Sequence, residues 1–431
     1  MATKRRVAQA KKRSDKVGRK SVGTVTNPDH ISLIRVEHFK SLDSVQVEPG
    51  AVNVFVGANG AGKSNLLEAI GLIGAAAAGR IDDQALLRRG VRPGVPRLYR
   101  SSFSNKKASN TITIEASAYS GSLYRTSISN QGNPPKPWWS FMHESLKDGA
   151  NSIASRSPRG ATVQEKGLRL ENYGSVAAVA RTNQATPQNV RNFLQVLDDF
   201  AIFAPVTPIL RGIAPDSAPR SPVGLYGGQL PEALSTLLSV GGRKKLAAIK
   251  EAALEFIDWA ENIEVTEPSR AFLSPSVPAM REVVSFKDRF MRGSTDTLSG
   301  YDASEGALYI LFALVLAMHP QSPKCFALDN FDQALNPIAA RELARTFTQF
   351  MLQSGRQAFL TTHNPLVLDG LPLDDERVRL FSVQRNMRGQ TSIRRIPVRN
   401  LERLKAKNGN DIVSRLWVGG RLGGMPNVRP I

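Results

Sequence analysis

Cysteine is nearly absent from this 431-residue chain, with Cys325 standing alone. A single thiol excludes an intrachain disulfide framework and fits a reducing, cytoplasmic setting. Long apolar runs are missing too. The longest, Gly306 to Met318, has 13 residues, short of the roughly 20 needed to span a bilayer core. Residues 1–20 hold no apolar stretch of the secretory kind, so export is not expected. Acidic residues are in deficit, 37 against 57 Lys and Arg, and the imbalance is local. Residues 1–20 carry nine basic side chains against Asp15, and residues 384–431 carry eleven against Glu402 and Asp411. The body between is close to neutral. Basic ends either stay solvated and aid solubility, or meet phosphate backbones and acidic partners. No aromatic residue interleaves the N-terminal basic ones to suggest base stacking. The arm also lacks an apolar face for a membrane surface.

What is present belongs to a folded protein: 41% hydrophobic and 22% charged residues, enough to bury a sizeable core. At roughly 150 residues per domain, two or three domains are expected. Residues 1–28 read as a disordered basic arm closed by the Asn27-Pro28 turn. Strands are expected at 31–39, 51–56, 111–118 and 122–129, with a helix over 62–78. The stretch 130–170, rich in Pro, Ser, Gly, Asn and Arg, reads as a long irregular insertion. Helical patterns follow at 187–203, 229–240 and 243–262. Strands are then expected at 281–288, 324–329 and 357–363, helices at 304–319 and 337–353, and a terminal hairpin at 379–398. Strands alternating with helices, with motifs at strand ends, predict an α/β architecture.

The strongest motif is Gly57-Ala58-Asn59-Gly60-Ala61-Gly62-Lys63-Ser64, which satisfies G-x-x-x-x-G-K-S between a strand and a helix. Its backbone N–H groups and the helix N-terminus suit a phosphate. Lys63 is expected at the β- and γ-phosphates of ATP, Ser64 on Mg²⁺, and Asn65 beside them. Asp329, at the end of the apolar run "CFAL", is a candidate second Mg²⁺ ligand. Ser304 and Gly306 open the buried helix and form either an ordinary cap or a second phosphate reader. "LSGY" at 298–301 competes for that role. His363 ends a strand before a proline turn, where a ring N–H could meet a γ-phosphate. The remaining histidines show no metal-ligand spacing.

In this order the motifs resemble an ATP-binding-cassette ATPase of the SMC/RecF/OLD-like group. "ISLIRVEHFKSL" with "VNVFVGANGAGKSNLLEAI" looks like that group's opening, and "ASEGALYILFAL" is similar to its short S-x-G signature. "ALDNFDQALNP" resembles the Walker-B and D-loop stretch, "LTTHNP" the switch histidine, and "LWVGGRLGG" a common ending. The resemblance implies an ABC-ATPase head with a P-loop core sheet, an antiparallel β subdomain and a helical lid or arm insertion. Its parts would be 29–129 and 281–383 for the ATPase core, 130–280 for the lid, and 384–431 for a basic hairpin and tail. It also implies a head-to-tail dimer around ATP, in which Ser304 and Gly306 of one copy meet the nucleotide held by Lys63, Ser64 and Asp329 of the other. Asn336 and Pro337 would lie across that interface.

One position departs from the pattern. The group normally has Glu directly after the Walker-B Asp, whereas this chain has Asn330, which orients water but accepts no proton at neutral pH. Asp332, two residues on, is the candidate substitute. Slow hydrolysis is therefore expected, in keeping with a sensor or scaffold; the resemblance implies that it would control a separate effector, a nuclease or toxin, in bacterial anti-phage defence. The alternative is a RecF-like DNA repair ATPase gripping duplex DNA through its basic ends. The 68 residues after His363 are basic and too few for a Toprim nuclease, so any cutting activity is expected from a partner.

Overall fold

The computed structural model describes residues 27–239, 242–269, 273, 281–293, 295–407 and 412–424. The basic arm expected over 1–28 therefore lies outside the described residues, except for Asn27 and Pro28.

Three sheets organise the chain. The first is antiparallel and grows from β1 (Ile31–Phe39), β2 (Leu42–Val47), β4 (Ile112–Ala118), β5 (Ser122–Ser129), β6 (Ser140–Asp148), β7 (Asn151–Ser157), β8 (Gly160–Val163) and β9 (Lys166–Leu168), with β3 (Val52–Val56) leaving for the second sheet. Its order is β2-β1-β4-β5-β6-β7-β8-β9. The second sheet adds β10 (Ala201–Phe203), β14 (Cys325–Leu328), β15 (Gln357–Thr362), β16 (Val378–Arg385) and β17 (Thr391–Ile396) to β3. Its order is β10-β14-β15-β3-β16-β17, parallel up to β16, with β17 returning antiparallel. A small antiparallel sheet joins β11 (Ala260–Thr266), β12 (Val283–Asp288) and β13 (Thr297–Ser299).

The parallel sheet is buried on both faces, which is why its strands are near-continuous apolar runs. On β3, Val52, Val54 and Val56 point into one core and Phe55 into the other, as a period of two requires. Phe55 lies between Phe381 and Phe359, at centroid distances of 4.8 and 6.2 Å. Its face is covered by α1 (Lys63–Ala78), which rests on α2 (Val176–Thr182) and α3 (Gln188–Asp198). The opposite face carries α4 (Leu230–Ser239), α5 (Arg243–Phe256), α6 (Glu305–Met318) and α7 (Pro337–Ser354). Helix α6 is buried from Ala307 to Ala317 on every side, consistent with its uniformly apolar sequence. No helix among the described residues is long and apolar enough to cross a membrane.

Two expectations are corrected. Residues 130–170 are not an irregular insertion: beyond a loop at 130–138 they form β6 to β9, which extend the antiparallel sheet. These strands bury one sparse apolar face, through Phe141, Leu146, Ile153 and Val163, and leave the other to residues such as Ser, Lys and His. Their composition therefore looks like that of a loop. Likewise the chain after the terminal hairpin is not merely a tail. It forms α8 (Val398–Lys407) and α9 (Val413–Val418), which pack Leu401, Val413, Leu416 and Trp417 into the core.

The meander is fastened to α2 by a buried ion pair. Arg156 Nε donates to Glu144 Oε2 at 2.9 Å, with side chains 7% and 0% exposed. Glu144 also accepts from Tyr124, Ser175 and the Val176 N–H. Removing one member leaves a buried charge without its counterion, a change that typically costs about 3–5 kcal/mol. Urea unfolding of Arg156→Ala is expected to show a loss of that size. An unchanged midpoint would mean that the hydrogen bonds to Glu144 suffice without the arginine.

Candidate nucleotide site

The parallel register brings three strand ends to one place. Thr362 pairs with Val56 and Leu328 with Leu360, so the residues that follow β3, β14 and β15 are neighbours: Gly57, Asp329 and His363. Ligand sites of open parallel sheets lie at such carboxyl ends.

The loop 57–62 leaves β3 and enters α1, whose first residues are Lys63 and Ser64. Gly62 has φ 109°, and a Cβ there would lie 2.3 Å from Thr391 Oγ1. Both its backbone and its neighbour therefore exclude a side chain. Thr391 Oγ1 bonds the Ala61 carbonyl at 2.7 Å and Ser41 Oγ at 2.7 Å. Asn65, expected beside the nucleotide, donates to Ser41 Oγ at 2.7 Å. Ala58, Asn59 and Gly60 complete the turn, with Gly60 at φ 73°.

Lys63 Nζ is turned inward, donating to the carbonyls of Gly57 (2.8 Å) and Ala58 (3.1 Å). Burial pushes its pKa down to about 8, against the opposing pull of Asp329 and Asp332. Ser64 Oγ donates to the Asp329 carboxylate at 3.0 Å. Asp329 also accepts from Thr361 Oγ1, and Thr361 Oγ1 takes the Asn330 N–H at 2.9 Å. A hydroxyl and a carboxylate converging beside the loop form a hard-oxygen donor set suited to Mg²⁺.

The segment after Asp329 is held from two sides. The Phe331 N–H bonds the Thr361 carbonyl at 2.8 Å, and Tyr309 of α6 donates to the Phe331 carbonyl at 3.0 Å. Asn330 is exposed at φ 57°. Asp332 Oδ1 accepts the His363 N–H at 3.2 Å, so the two candidates touch through backbone rather than side chain to side chain. Burial and the nearby Lys63 charge lower the His363 pKa, with Asp332 and Asp329 opposing. Its imidazole is therefore neutral at pH 7, with one ring donor and one acceptor.

Ser304 and Gly306 sit at the start of α6. Ser304 is exposed and caps the helix, accepting from the Ala307 N–H at 3.2 Å. A Cβ on Gly306 would come within 3.1 Å of the Ala334 carbonyl. The helix therefore begins against the 332–335 loop of its own chain. Its competitor Ser299 is buried and donates to Asp302 at 2.8 Å. Asn336 caps α7 through the Ala339 N–H, with Pro337 in its first turn. Gly57 to Ser64, Asp329, Asp332 and His363 thus gather in one place, while Ser304 and Gly306 reach it only through the 332–335 loop. Sequence reasoning missed Thr361, Ser41, Thr391 and Tyr309, whose signals are single hydroxyls far from the motifs they serve.

An anion beside Lys63 favours the charged ammonium, so phosphate binding raises a pKa that starts near 8. Nucleotide binding is thus expected to take up about half a proton at pH 8 and to weaken as pH rises from there to 10. Calorimetry in buffers of different ionisation heat measures both. Binding without proton uptake at pH 8 to 9 would mean that Lys63 is already fully charged.

A family model described as "AAA domain, putative AbiEii toxin, Type IV TA system" matches residues 52–154 and 216–369, well over half of the chain. Among solved structures, the Smc head bound to the C-terminal winged-helix domain of ScpA overlays with a TM-score of 0.51. The overlay has 10% identity and covers 87% of this chain and 99% of that one. Smc heads from Pyrococcus furiosus and Thermotoga maritima overlay with TM-scores of 0.45 and 0.39, at 12% and 13% identity. They cover 88% and 86% of this chain and 99% and 100% of theirs. The chain has the fold of an SMC-type head and belongs to the AAA-domain family described as putative AbiEii toxin, Type IV TA system.

Proposed function

We propose that this ATPase binds ATP at Gly57–Ser64, hydrolyses it slowly, and closes head to tail with a second copy around the nucleotide. In that assembly it controls a separate toxin or nuclease in bacterial anti-phage defence. The observation that carries the proposal is the pairing of a complete phosphate loop and Ser64–Asp329 contact with an exposed Asn330 where a base would stand.

Bound Mg²⁺, held by Ser64 and Asp329, would neutralise phosphate charge. The remaining roles belong to the chain. Backbone N–H groups of the loop hold the phosphates, and Lys63 leaves its two carbonyls to follow the β- and γ-oxygens. The neutral His363 presents a ring N–H to the γ-phosphate. Asn330 orients the attacking water but takes no proton, and Asp332 is the nearest carboxylate able to do so. Ser304 and Gly306, at an exposed helix start, provide the dipole end and hydroxyl that a second copy's γ-phosphate requires. The toxin–antitoxin name of the family supports the defence role.

The test is ATP turnover of the purified chain against a Lys63→Ala background. Wild type is expected close to that background. Asn330→Glu, which restores a general base, is expected to raise turnover by about 10²-fold or more, and Asp332→Asn to remove what residual rate exists. Fast wild-type turnover that survives Asp332→Asn would overturn the slow-sensor assignment. Light scattering with ATP should report a dimer that Ser304→Arg abolishes. Stimulation by duplex DNA would instead favour the repair role.

A further inference from the structure

Beside the nucleotide site, β17, α8 and the segment after α9 enclose a cavity of about 390 Å³ lined by Arg394, Arg395, Arg403 and Arg421, with Asn400 among them. That volume lies within the range of small-molecule sites, roughly 300–1,000 Å³. Apolar side chains of Ile396 and Leu422 contribute to its walls.

The charge here is uncompensated. Arg395 pairs with Glu376, but Arg394, Arg403 and Arg421 have no ion pair among the described residues. Three arginines at or beside β16 are engaged: Arg377 with Asp375, Arg379 with the Glu48 carbonyl, Arg385 with the Gly389 carbonyl. Of the carboxylates at hand, Glu376 is occupied by Arg395 and Asp369 by the Ser414 N–H, while Glu402, beside Arg403 on α8, has no ion pair among the described residues. Gathering like charges around one cavity opposes folding, and a bound anion removes that repulsion. Guanidinium groups offer forked donors that match phosphate oxygens two at a time.

The cavity is separate from the phosphate loop but adjoins it. Arg421 precedes Gly423 and Gly424, which fold over the end of β16. A Cβ on Gly423 would sit 3.5 Å from Arg394 Nη2, and one on Gly424 3.2 Å from the Gly57 Cα. We propose that this arginine-lined cavity is a second anion site that takes a phosphate-bearing ligand, distinct from the ATP held at Gly57–Ser64.

The test uses the full chain carrying Lys63→Ala, which weakens the phosphate loop, with inorganic pyrophosphate and a short blunt DNA duplex as probes. Pyrophosphate is expected to bind with an affinity that falls as salt rises. Arg403→Glu with Arg421→Glu should weaken it by about tenfold or more, as expected for the loss of charge-assisted bonds. The milder Arg403→Gln/Arg421→Gln pair keeps the test valid if charge reversal disturbs folding, which thermal unfolding checks. Duplex binding that pyrophosphate displaces, and that the same variants lose, assigns the phosphate to a nucleic acid. Pyrophosphate binding without duplex binding assigns it to a small molecule. Pyrophosphate affinity unchanged in well-folded arginine variants, or no binding beyond that lost with Lys63, overturns the proposal.

Discussion

Parallel alignment of β3, β14 and β15 is the constraint on which everything else rests. Side-by-side strands running in one direction must end at one rim, so Gly57 becomes a neighbour of Asp329 and His363 although it lies far from both in the sequence. Only strands buried on both faces can be held this way, and the price is a continuous apolar sequence along each. Polar chemistry is thereby gathered at the strand ends, in Gly57, Asp329 and His363 just beyond them and in Thr361 at the end of β15. The Ser64–Asp329–Thr361 chain of oxygens then ties helix to strand end to strand end.

Much of this was legible in the sequence, and the reason is locality. Gly57 to Ser64 takes its geometry from eight consecutive residues between a strand and a helix, so spacing alone announces it. Asp329 could be placed because "CFAL" reads as an interior strand, and the helices expected at 304–319 and 337–353 are found as α6 and α7. The supports of these residues were not legible. Thr391 steadies the phosphate loop from more than 300 residues away, and no local pattern marks one threonine among many. The misreading of 130–170 has a different cause. Strands that bury a single sparse face in a meander have the composition of loops, and their partners are not visible within any one window.

Charge is handled differently at the two ends of the rim. Around Asp329 every charged group is answered: Lys63 by carbonyls and distant carboxylates, Asp329 by two hydroxyls, Asp332 by a backbone N–H. Arg394, Arg403 and Arg421 have no ion pair among the described residues. The first arrangement holds its geometry without a ligand. The second is complete only with one.

Helix α6 is apolar on all sides, enclosed from Ala307 to Ala317, with its first residue at the surface and Tyr309 bonded to the peptide that carries Asn330 and Phe331. A rod so enclosed cannot flex or roll independently of its surroundings, because close packing leaves no free volume to absorb the movement. Ser304 at the surface and the Phe331 carbonyl beside the site are thus joined by one closely packed helix through Tyr309, with no hinge between them.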